Sequence, residues 1–113
     1  MQFVLLLYGD EAGEAALTAD QRRAIVEGHI AFSKALRDRG QLRLGEALAP
    51  SAEAAVVRPG RRGVSDGPFA ETKEQLGGLY IVECADRDDA LELARQIPGS
   101  PGLAIEVRPI QGT

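Results

Sequence analysis

Phe3-Val4-Leu5-Leu6-Leu7-Tyr8, closed by Gly9, decides the fold. A strand sends successive side chains to opposite faces, so a continuous apolar run predicts a strand covered on both sides. Leu79-Tyr80-Ile81-Val82-Glu83-Cys84, opened by Gly77-Gly78, reads as a second buried strand. Two strands this apolar belong in the middle of a sheet, and neither sheet face can be left in water without exposing a large patch.

Between them lies the best-marked helix of the chain. Thr18-Ala19-Asp20-Gln21 matches a capping box, in which the Thr18 hydroxyl accepts from the Gln21 N–H and the Gln21 side chain reaches back to the Thr18 N–H. Asp20 in the first turn and Arg37 and Arg39 in the last complement the helix dipole, and Gly40 supplies a left-handed C-cap. The spacing predicts a helix over 19–39. Its apolar stripe runs Ile25, His29, Phe32, Leu36, widened by Val26 and Ile30, and His29 is the polar interruption.

The remaining chain reads in order as a polar loop over 10–17 and a strand around Leu42–Leu48 closed by Pro50. A hairpin follows, with Ala54–Arg58 and Gly63–Ser65 flanking Pro59-Gly60-Arg61-Arg62. Asp66-Gly67-Pro68-Phe69 is a turn signal, and Glu71–Leu76 reads as one helical turn. Asp86 caps a second long helix carried by Ala90, Leu93, Ala94 and Ile97 and stopped by Pro98-Gly99. Ala104–Ile110 closes the chain as an alternating strand. The order β-α-β-β-β-α-β implies one α+β domain, residues 1–113, of ferredoxin-like sandwich type: helices on one face of an antiparallel sheet. The opposite face lacks a cover within the chain. A second copy would supply it, so a homodimer is expected.

Composition narrows the chemistry. The chain has 113 residues, one Cys and one His. One cysteine excludes an internal disulfide framework and a cysteine-built metal cluster, and one histidine excludes a multi-histidine metal site within a protomer. No metal and no cofactor is expected. Thirteen basic against seventeen acidic residues give a net charge of −4 without a basic stripe, which argues against nucleic-acid binding. The longest apolar run is too short to span a bilayer. No basic leader precedes the first strand, so no signal peptide is expected and the expected location is cytoplasmic.

What remains for chemistry is a short set. His29 could act as general acid or base near neutral pH, or be a half-buried histidine bonded to the sheet. Asp66 could orient His29, or simply cap its own turn. Tyr8 and Tyr80 sit at the ends of apolar strands, where their hydroxyls either reach the rim of a pocket or are satisfied in the core. Arg108 either binds an anionic ligand or pairs with an acidic neighbour. Glu71, Lys73 and Glu74 read as a solvated turn or a polar pocket wall. Cys84 reads as an inert core thiol.

Tyr8-Gly9-Asp10-Glu11, Asp66-Gly67-Pro68-Phe69-Ala70-Glu71-Thr72-Lys73-Glu74, Gly77-Gly78-Leu79-Tyr80 and Glu106-Val107-Arg108-Pro109-Ile110 together resemble the DGPF-motif branch of the YCII-related proteins, over nearly the whole chain. The resemblance implies a ferredoxin-like dimeric α/β barrel whose two protomers pack their sheets face to face. It also implies that His29 and Asp66 form an acid/base pair in a cleft; on the residue reading above, Tyr8, Tyr80 and Arg108 are then the expected substrate contacts. Relatives acting on small ring compounds imply a cofactor-free lyase, isomerase or dehydrochlorinase. The alternative implied is a small-ligand-binding or regulatory module associated with an extracytoplasmic-function sigma factor.

Overall fold

The computed structural model describes residues 1–113 and contains four long strands, β1 (Gln2–Asp10), β2 (Leu42–Ala47), β5 (Glu74–Glu83) and β6 (Ala104–Pro109). They form one antiparallel sheet in the order β2-β5-β1-β6. The two strands singled out by their apolar runs are the central pair. Helix α2 (Ala19–Asp38) joins β1 to β2, leaving the slot that β5 fills. Helix α3 (Arg87–Arg95) joins β5 to β6, leaving the slot that β1 fills. Two interleaved split β-α-β units with helices on one face are the ferredoxin-like arrangement. A separate two-stranded hairpin, β3 (Ala55–Val56) with β4 (Ser65–Asp66), projects between β2 and β5.

Helix α2 begins and ends as its capping residues dictate. Thr18 Oγ1 accepts from the Gln21 N–H at 3.1 Å while Gln21 Oε1 accepts from the Thr18 N–H at 2.9 Å. At the other end Gly40 has φ +72°, and the Gly40 and Gln41 N–H groups donate to the carbonyls of Arg37 and Leu36. That is a Schellman closure, which a residue with a Cβ adopts only under strain. Asp86 Oδ1 likewise accepts from the Asp89 N–H to open α3.

Two local readings give way to longer-range bonding. The 10–17 stretch is not wholly loop: Glu11–Ala15 forms a short helix, α1. Glu11 and Glu14 favour its N-terminal turn, and the Glu11 carboxylate accepts from both the backbone N–H and the hydroxyl of Ser51, tying α1 to a 3-10 turn over Ser51–Glu53. Residues 74–76, read as part of a helical turn, belong to β5, because β1 continues to Asp10 and pairs with them as far as Asp10↔Glu74. Cross-strand hydrogen bonds outweigh the weak helix signal of a short polar segment.

The core lies between sheet and helices: Phe3, Leu5, Val82 and Cys84 from the strands against Phe32, Leu36, Ala90, Leu93 and Ile97. Only 12 of the 113 residues are buried, and the shortest dimension of the molecule is 19 Å, the depth of one helix layer on one sheet. The register puts Val4, Leu6, Leu44, Leu79 and Ile81 together on the opposite face. No element of the chain covers that face.

Two substitutions test this account. Thr18→Ala should cost about 1 kcal/mol in denaturant unfolding through loss of the cap. Leu36→Ala, at a fully buried position, should cost about 2–5 kcal/mol. Equal small losses for both would contradict the placement of the core.

Candidate functional site

The helix α2 stripe turns His29 toward the sheet, and alternation along β5 turns Tyr80 toward the helix. The two side chains meet there, with His29 Nδ1 and the Tyr80 hydroxyl oxygen 2.7 Å apart and the rings stacked at 6.0 Å between centroids. Phe32, one turn along α2, packs edge-on against the other side of Tyr80 at 5.1 Å. Below the ring lies Gly45 of β2. A Cβ at position 45 would stand 2.8 Å from two Tyr80 ring carbons, so the ring occupies space that only glycine leaves open. Tyr80 is 7% exposed, whereas His29 is half-buried, with room on its outer side.

That outer side is a cleft of about 340 Å³ between α2 and the sheet. Leu7, Val26, Ile30 and Leu103 supply apolar walls, and His29, Tyr80, Ser33, Ser100 and the carboxylate-bearing Glu46 supply polar groups. Val26 and Ile30 form an apolar lip, 52% and 63% exposed. A concave, mostly apolar surface with a few convergent polar groups is the usual form of a small-ligand site.

The electrostatics of the couple follow from burial. Desolvation pushes the His29 pKa below its ordinary value of 6.5, so the neutral imidazole prevails at neutral pH. Burial also raises the Tyr80 phenol, partly offset by a hydrogen bond with the Ser33 side chain. A neutral imidazole carries one ring proton. If Tyr80 donates to Nδ1, the Nε2–H is a donor; if Nδ1–H donates to the Tyr80 oxygen, Nε2 is a free base. Ser33 stands one turn after His29 on the same helix face and also lines the cleft.

The other expected residues lie elsewhere. Asp66 is exposed in the hairpin, where its backbone pairs with Ala55, and His29 has Tyr80 rather than Asp66 as its hydrogen-bond partner within the chain. Tyr8 is half-buried and, by alternation along β1, shares the sheet face of Val4 and Leu6. Arg108, opposite Val4 on β6, pairs with Glu106 at 2.9 Å. The sheet separates both from the His29 cleft. Cys84 is buried, and desolvation with Asp89 nearby pushes its thiol up to about 11. No group of three His, Cys, Asp or Glu side chains is placed to hold a metal ion. Ser33 and Gly45 escaped the sequence reading. Ser33 had a usable signal, its four-residue spacing from His29; Gly45 had none, because its role depends on a ring brought in by another strand.

Fold and cleft define a small α+β domain with a titratable pocket between its first long helix and the sheet. A family model for the YCII-related domain matches residues 1–111, and an uncharacterized protein of Rhizobium meliloti (strain 1021) is 36% identical over 114 residues, covering 97% of this chain and 92% of the relative. The chain belongs to the YCII-related family.

Two measurements check the site. The single imidazole resonance should titrate with a midpoint below 6.5. Because the unfolded chain takes up that proton first as pH falls, this group's contribution is fully present above 6.5 and is lost as pH drops from there through the folded midpoint. His29→Gln should flatten that part of the stability profile. Gly45→Ala should displace Tyr80, lowering the melting temperature and shifting the His29 resonance; an unmoved resonance would separate the ring from the site.

Proposed function

We propose that the protein is a cofactor-free acid–base enzyme whose His29–Tyr80 couple moves a proton on a small, largely apolar ring compound bound in the α2–sheet cleft. The observation that carries this reading is the 2.7 Å contact between Nδ1 and the phenolic oxygen, set into an apolar cleft that leaves the imidazole accessible on its other side. An imidazole that burial keeps neutral is free to accept a proton at neutral pH. Tyr80 fixes the ring's orientation, the part that an orienting carboxylate plays in other acid–base pairs. Within the chain Asp66 is not among the residues lining this cleft. The Asp66–Glu74 segment with its Gly67-Pro68-Phe69 centre supports placement in the DGPF branch of the family.

We further propose a homodimer formed through the open sheet face. An apolar face carrying Val4, Leu6, Leu79 and Ile81 on a slab this thin is a face that water disfavours, and a second copy buries it symmetrically.

Activity is tested by incubating the protein with a panel of phenols and other enolisable ring compounds in D2O. Ligand-saturable deuterium incorporation is expected, reduced about a hundredfold or more in His29→Gln and less severely in Tyr80→Phe. Incorporation that is unchanged in His29→Gln overturns the mechanism. Compounds that bind at the His29 resonance without exchange identify a ligand-binding module instead. Light scattering should give about twice the 12.0 kDa chain mass, with Leu6→Glu returning the monomer. A monomeric wild type at micromolar concentration would contradict the dimer.

A further inference from the structure

The hairpin between β2 and β5 carries a charge opposite to that of the rest of the chain. Over residues 54–73 there are four basic and two acidic residues; the other ninety-three hold nine basic against fifteen acidic. Three of those cations stand within five residues. Arg58, Arg61 and Arg62 line a single hollow of about 380 Å³, completed by Val56, Val64 and Ser65. None of the three is in an ion pair within the chain, as is true of most of its cations. The hollow is shaped rather than floppy at its base: β3 and β4 pair there, the Arg61 N–H donates to the Arg58 carbonyl at 3.0 Å, and the Arg58 guanidinium lies 5.4 Å from the centre of the Phe69 ring. The cation–π contact holds Arg58 in place without using its hydrogen-bonding edge on a carboxylate.

Three guanidinium groups around one hollow repel each other, and the five N–H donors of each are arranged to meet a planar or tetrahedral oxyanion in pairs. We propose that this hairpin is an anion-binding site for the phosphoryl group of a small phosphorylated compound, distinct from the His29 cleft. A monoanionic carboxylate satisfies one arginine; a phosphoryl or pyrophosphoryl group has the charge and the oxygens for three. The site stands apart from the cleft of His29, Tyr80 and Ser33, so occupancy of one is read independently of the other.

The test is a titration of 15N-labelled protein with inorganic pyrophosphate at constant ionic strength, with chloride as the matched control. Saturable shifts in the amides of residues 56–65 are expected below about 1 mM, without change in the imidazole resonance of His29. Arg61→Gln and Arg62→Gln should each weaken binding about tenfold. Arg61→Lys should also weaken it, since an ammonium keeps the charge and loses the paired donors. These positions are exposed in a loop, so an unchanged melting temperature verifies that each variant is folded. Shifts that grow linearly, that chloride reproduces, or that survive removal of both arginines would overturn the site. So would retention of a DNA duplex by a hairpin that ignores pyrophosphate.

Discussion

The packing of one ring organises the structure. Tyr80 enters from a central strand, is gripped edge-on by Phe32, meets His29 Nδ1 through its hydroxyl, and rests where Gly45 leaves no side chain. Its apolar body belongs to the core and its hydroxyl belongs to the cleft. A tyrosine can serve both because its polar atom is at the tip of a long rigid side chain. The polar character of the cleft depends on this position: the orientation of the imidazole by the 2.7 Å contact and the desolvation that keeps both rings neutral.

The same packing explains why the site sits where it does. Helix α2 is held at both ends by caps and along its middle by Phe32 and Leu36, leaving little freedom for His29 to swing. Toward its N-terminal half the helix buries less, with Val26 and Ile30 exposed. The cleft opens at that boundary between well-packed and poorly packed helix. A rigid scaffold beside an incompletely filled space is the arrangement a small-ligand site requires, because the protein has already borne the cost of ordering the polar groups.

The architecture also divides the molecule electrostatically. The sheet has an apolar face with the Glu106–Arg108 pair beside it, the cleft under the helix layer is mostly apolar with Glu46 in its lining, and the arginines of the hairpin line a separate hollow. Arg108 stands on β6 opposite Val4 and pairs with Glu106, on the sheet face away from the imidazole. A phosphorylated ligand and a neutral ring compound would thus meet different parts of the surface.

Much of the fold was legible in the residues. Two uninterrupted apolar runs declared central strands, the Thr18–Gln21 box and Gly40 set the limits of α2, and Asp86 and Pro98 set those of α3, because these signals act over a few residues and need no distant partner. The element order then left little choice of topology. His29 could be placed on the inner face of α2 by its 3.6-residue spacing. What chain position could not decide was its partner. Asp66 and Tyr80 are both available in sequence, and the choice between them depends on strand register and on the glycine in β2 that admits a ring. The start of β5 was hidden for the same reason: Glu74 is a strand residue only because Asp10 lies opposite it. The central strands, the two long helices and their order follow from local hydrogen bonding and periodic burial, whereas α1 and the first residues of β5 take their form from distant partners. The tertiary structure alone decided which side chains share a cleft, since those contacts join residues some fifty positions apart through packing that no local pattern encodes.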